Sequence, residues 1–130
     1  MTNSRITDPE VMELRFPVRV GCFGVRKGSG GRGRHRGGCG VVRELIFEEA
    51  MDLSVLSNRR HVPPYGLAGG QPGALGKHWV QRAKGGGEGG EGGGGEVVAM
   101  DSCDTVRVEP GDSFWMLTPG GGGYGEEEGA

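Results

Sequence analysis

Three features of the sequence predict a mainly β fold, an α+β arrangement with one minor helix. VVRELIF (41–47) is dense in β-branched and aromatic residues. MDLSVLS (51–57) sets Met51, Leu53 and Val55 on one face and Asp52 and Ser54 on the other, the period of a half-buried strand. Glycine, 30 of 130 residues, punctuates the chain between such runs. Short antiparallel strands joined by glycine-rich loops satisfy all three.

The helix comes first. ITDPEVMEL (6–14) places Thr7 three residues before Glu10, a capping-box pattern, with Asp8 and Pro9 suited to the first turn. RFPVRV (15–20) and CFGV (22–25) then read as short extended pieces interrupted by Pro17, Gly21 and Gly24. After VVRELIF and MDLSVLS, the segment 63–77 holds three prolines and five glycines, an ordered loop leading to a strand around His78–Arg82. AKGGGEGGEGGGGE (83–96) buries nothing and its glutamates repel one another, so it reads as a flexible, disordered insertion. VVAM (97–100), TVRV (105–108) and SFWML (113–117) follow as strands. Between the last two, Pro110-Gly111 carries the type II turn signature and predicts a hairpin. TPGGGGYG (118–125) and an acidic tail, 126–130, close the chain.

Only 34% of the residues are hydrophobic, a thin supply against chain entropy, which suits a partial domain. Charge is segregated: residues 1–60 carry eleven Lys/Arg and seven Asp/Glu, and residues 61–130 carry four and ten. The acidic half opposes wholesale wrapping of nucleic acid. Cys22, Cys39 and Cys103 form no CxxC, and His35, His61 and His78 lack ligand spacing, so no disulfide framework and no metal site is expected. The absence of an apolar h-region or spanning run predicts a soluble, cytoplasmic protein without membrane partners.

Gly28, Gly30 and Gly33 spell G-x-G-x-x-G, but Gly37, Gly38 and Gly40 each disfavour the following helix that a dinucleotide needs. The tract 28–40, with Arg32, Arg34 and Arg36, also resembles an RNA-binding arginine-glycine segment. A single copy running into a strand favours instead a loop whose glycines supply positive φ. Arg59 and Arg60, after a strand and before Pro63-Pro64, stand where guanidinium forks can hold a carboxylate or phosphate; a solvated pair is the alternative. Gly120, Gly121, Gly122 and Gly123 can present successive N–H groups to an anion, or equally permit close backbone packing.

Taken in order, MTNSRITDPEVMELRFPVRV, GSGGRGRHRGGCGVVREL, LSVLSNRRHVPPYGLAGGQPGALG, VEPGD and TPGGGGYG resemble the C-terminal end of the hydantoinase B family, and in particular of its ATP-dependent 5-oxoprolinases. The resemblance implies a C-terminal-like segment over 1–82, interrupted by 83–96 and completed by 97–125 as a C-terminal hairpin with the TPGGGGYG loop. It implies a cyclic-amide hydrolase in which ATP and Mg²⁺ serve the full-length enzyme, with dependence on a monovalent cation, and no cofactor is expected on this segment. The partner is the hydantoinase A/B remainder or a homodimer mate, and the chain alone should be inactive. On this reading the candidate substrate- or anion-binding residues are Asn3 and Arg5 near the start, Arg59 and Arg60 as anion holders, and Gly120–Gly123 as a backbone loop lining the site. The chain departs from the family pattern at Cys39, where RGGDG has an acidic residue.

Overall fold

The computed structural model describes residues 4–83 and 95–128. Most of the predicted Gly/Glu insertion therefore lies outside the described residues, as does Asn3.

The single helix among the described residues, α1 (Pro9–Arg15), starts where the sequence places it, but its cap is Asp8 rather than Thr7. The Asp8 carboxylate accepts the Glu10 N–H at 2.9 Å, and Pro9 occupies the first turn, where its missing N–H costs nothing. No residue of α1 is buried.

Seven strands follow among the described residues: β1 (Val18–Arg26), β2 (Gly40–Phe47), β3 (Met51–Leu56), β4 (Lys77–Gln81), β5 (Val97–Ala99), β6 (Cys103–Val108) and β7 (Ser113–Leu117). The two extended pieces expected on either side of Gly21 are one continuous strand. A bulge between Val20 and Cys22 absorbs the glycine, where a Cβ would strike the Glu44 carboxylate opposite. Strands β1-β2-β7-β4-β5 form an antiparallel five-stranded sheet, and β3-β6 form a separate two-stranded ribbon.

The turn at Glu109–Asp112 forms as predicted, with Gly111 at φ 91° and the Asp112 N–H donating to the Glu109 carbonyl at 3.0 Å. It does not make a hairpin. β6 pairs with β3 while β7 pairs with β2 and β4, so the turn carries the chain from one sheet to the other. A tight reversal fixes direction only; pairing is decided by which strands offer complementary edges.

The ribbon's apolar residues, Met51, Leu53, Val55, Val106 and Val108, pack with one face of the large sheet around Val18, Phe47, Val80 and Phe114. Among the described residues five buried apolar side chains make a small core. Arg43 also points to this side and is buried. Its guanidinium lies 5.6 Å from the centre of the Phe23 ring and donates to the Met12 sulfur and the Thr7 carbonyl, holding α1 against the sheet. Burial pushes the Arg43 pKa below its usual value.

Candidate functional site

Three glycine loops meet at one end of the large sheet: residues 27–40, 59–76 and 118–125. Their contacts are backbone on backbone. Gly31 donates to the Gly121 carbonyl at 2.8 Å, Gly121 to Gly38 at 2.9 Å, Gly123 to Gln71 at 2.9 Å, and Gly120 to Ala74 at 3.1 Å. A Cβ on Gly120 would overlap the Ser29 carbonyl, one on Gly122 the Tyr65 carbonyl, and one on Gly37 the Gly121 carbonyl. In the tract 28–40 only Gly28 has a positive φ, 77°. The expectation that these glycines supply left-handed turns is thus corrected: most are required because no side chain fits between the apposed backbones.

Side chains lock the loops to the sheet. Arg26 Nη1 donates to the Leu75 carbonyl at 2.8 Å and the Thr118 carbonyl at 2.9 Å. Ser29 Oγ donates to the Arg26 carbonyl at 2.7 Å and accepts the Gly40 N–H at 2.8 Å. Thr118 Oγ1 accepts the Val41 N–H at 2.6 Å.

Cys39 is exposed, and the nearby backbone N–H groups, Gly30's first and then Gly28's, lower the thiol pKa below its ordinary value. Alkylation by iodoacetamide, followed by mass spectrometry of the Cys39 peptide, is expected to reach half its maximal rate at a pH below the ordinary thiol range. Substitution of Ser29 by Ala should shift that midpoint upward.

Arg59 and Arg60 diverge. Arg59 adopts a left-handed backbone, φ 57°, and its guanidinium lies 5.9 Å from the centre of the exposed Tyr65 ring. Arg60 turns inward: Nε donates to His78 Nδ1 at 2.8 Å and to Ser57 Oγ at 3.1 Å. His78 Nε2 then donates to the Asp101 carbonyl at 2.7 Å, since Nδ1 must keep its lone pair for Arg60. His78 is buried, because β4 directs it beneath the Arg60 guanidinium.

Arg60 Nη1 is buried with no hydrogen-bond partner among the described residues, in space that exists because residue 76 is glycine. Burial first, then the positive charge of Arg26, lowers the Arg60 pKa. Arg60, His61, His78, Trp79, Met100 and Asp101 line part of a cavity of about 390 Å³. At its rim His61 Nε2 lies 3.1 Å from the Asp101 carboxylate. The Ser102 N–H chiefly, and His61 next, hold Asp101 below the usual carboxylate range. A half-buried guanidinium carrying an unmatched donor beside a second arginine is chemistry for an anion.

Of the other sequence candidates, Arg5 is exposed. Gly120–Gly123 lie inside the glycine layer, near Arg60 through Pro119, whose ring borders Gly76. The links to His78 and the Asp101 carbonyl carried no sequence signal, being 18 and 41 residues from Arg60.

The fold is a β-rich segment whose loops are braced by a glycine layer. The chain belongs to the hydantoinase B/oxoprolinase family, whose model matches residues 1–127. It is 43% identical to 5-oxoprolinase 1 of Arabidopsis thaliana over 126 residues, which is 96% of this chain and 9% of that protein. It is 41% identical over 128 residues to the 5-oxoprolinase of Dictyostelium discoideum, covering 98% of this chain and 9% of the relative. With the 5-oxoprolinase of Saccharomyces cerevisiae the identity is 42% over 118 residues, 90% of this chain and 8% of the relative. The chain therefore spans a small fraction of the length of these relatives. No helix among the described residues is long and apolar enough to cross a membrane.

Proposed function

We propose that this chain is the C-terminal segment of a hydantoinase B enzyme of the 5-oxoprolinase type and serves ATP-dependent hydrolysis of 5-oxoproline to glutamate as part of a larger cytoplasmic assembly. The observation that carries this reading is the near-complete match of the chain to about a tenth of each 5-oxoprolinase. An unstrained lactam is a poor electrophile; converting its oxygen into a phosphorylated leaving group makes attack by water feasible. When bound, ATP with Mg²⁺ supplies that activation. The residues here do not fit a nucleotide. The N–H groups of Gly31, Gly120, Gly121 and Gly123 already serve carbonyls, and the described residues include no cluster of three His, Cys, Asp or Glu side chains for a metal. Nucleotide and metal belong, in this reading, to the hydantoinase A/B remainder, or to a homodimer completed by it.

Within the assembly, Arg60 supplies an anion contact, either to a carboxylate of the substrate or to a carboxylate side chain of the remainder. His78 positions the guanidinium through Nδ1, and Arg59, Arg5 and the Gly120–Gly123 loop are further candidate contacts in the complete enzyme. The purified chain is expected to show no 5-oxoproline-dependent ATP hydrolysis; clear turnover by the chain alone would overturn the assignment of the catalytic parts to the remainder. In a full-length relative carrying this segment, Arg60→Met should lower kcat/KM at least tenfold while Arg107→Met, at an exposed position of β6, leaves it within twofold. Equal effects of the two would remove Arg60 from the site.

A further inference from the structure

The five-stranded sheet has two faces, and the core covers one. Strand alternation puts Val42, Glu44 and Ile46 of β2, Trp115 and Leu117 of β7, and Trp79 of β4 on the other. None of these side chains belongs to the core cluster or to the apolar residues packed against it. Trp79 and Trp115 are direct cross-strand partners, their rings stacked with centres 6.0 Å apart and an interplanar angle of 8°. They are the chain's two tryptophans.

We propose that this outer face, centred on the Trp79–Trp115 stack, is the surface by which the chain docks onto the remaining polypeptide of a hydantoinase B enzyme. The proposal rests on the fragment reading above. Two observations select the occupant. The relatives carry this segment as only 9% of their length, so the same sheet lies in them beside a large body of further chain. Glu44 is half-buried among these apolar residues and forms no ion pair among the described residues, with Gly21 leaving space for its carboxylate; the occupant supplies a donor or cation opposite it. An aromatic centre beside a charged group awaiting a partner matches the anatomy of a buried interface.

The test uses the chain labelled with 5-fluorotryptophan, which places one ¹⁹F reporter on each ring of the stack. Unlabelled Dictyostelium 5-oxoprolinase lacking its matched segment is added, and complex formation is followed by size-exclusion chromatography. Both resonances are expected to shift on binding. Trp79→Ala and Ile46→Lys should weaken the complex by about 30-fold or more, and Leu56→Glu, exposed on the ribbon, by less than about threefold. A complex that leaves both resonances unmoved overturns the docking face while sparing the fragment reading. No complex at all counts against both. As a readout independent of the truncated partner's folding, residues 1–127 of this chain replace the matched segment of full-length Dictyostelium 5-oxoprolinase. There Ile46→Lys should lower the melting temperature and Val62→Glu, exposed elsewhere, should not; equal melting would overturn the proposal. A dimer of the isolated chain that Trp79→Ala dissolves would give the face to a second copy and overturn it likewise.

Discussion

Gly120→Ala is expected to destabilise the chain by more than about 3 kcal/mol, above the usual range for overpacking, and to remove the cooperative unfolding transition if the fold is as marginal as its small core suggests. The new methyl would overlap the Ser29 carbonyl oxygen, with the Ser29 carbonyl carbon and the Gly30 nitrogen close behind. None of these atoms can swing aside as a flexible side chain would. The Ser29 carbonyl accepts the Ala74 N–H at 2.8 Å, and Gly120 itself donates to Ala74, so a shift would break bonds among all three loops at once. Gly38→Ala is the matched control: a Cβ there meets nothing within 4 Å and the residue has no positive φ. It should be neutral or stabilising by about 0.4–1 kcal/mol, through the unfolded chain. Urea unfolding followed by circular dichroism separates the two. A Gly120→Ala midpoint within error of Gly38→Ala would mean that the glycine layer is not close-packed.

Asp112→Asn should cost about 2–3 kcal/mol at neutral pH, more than any other single side-chain change in the turn region. The buried carboxylate accepts from Arg82 Nη1 at 2.6 Å, from the Ala83 N–H at 2.8 Å and from the Glu109 N–H at 3.0 Å. An amide nitrogen in place of one oxygen would face a donor. Burial pushes the Asp112 pKa up, but the N–H groups of Glu109 and Ala83 and the Arg82 guanidinium outweigh it, leaving the carboxyl below its usual value. A depressed folded pKa means that this stabilisation is present above the unfolded value, about 3.9 for Asp, and is lost as pH falls through the folded one. The wild-type chain should therefore lose urea stability steeply below about pH 4, and Asp112→Asn should flatten that loss. Parallel pH profiles for the two proteins would sink the assignment.

Much of the local structure was legible from residue type and spacing. Met51, Leu53 and Val55 alternate in sequence and share the inner face of β3; Pro110-Gly111 makes the turn that its chemistry demands. Errors arose where one local signal served two outcomes. Asp8 and Thr7 are both good caps, and only the geometry of the first turn chose Asp8. A glycine in an extended run reads as a break, yet Gly21 is a bulge within a continuous strand because β2 pairs on both sides of it. Arg59 and Arg60 are adjacent in sequence, but the left-handed backbone at Arg59 sends one guanidinium to Tyr65 and the other beneath the loops to His78.

By itself the sequence determined where strands and turns lie, how the chain's motifs are ordered, and that its apolar supply is thin; these depend on side-chain period, backbone preference and composition, which act within a few residues. Only the tertiary structure decided that β6 and β7 enter different sheets, that Trp79 meets Trp115, and that Gly120 lies against Ser29. Those outcomes depend on strand register and on backbones meeting across 36 and 91 residues of chain, a separation over which no local preference carries information.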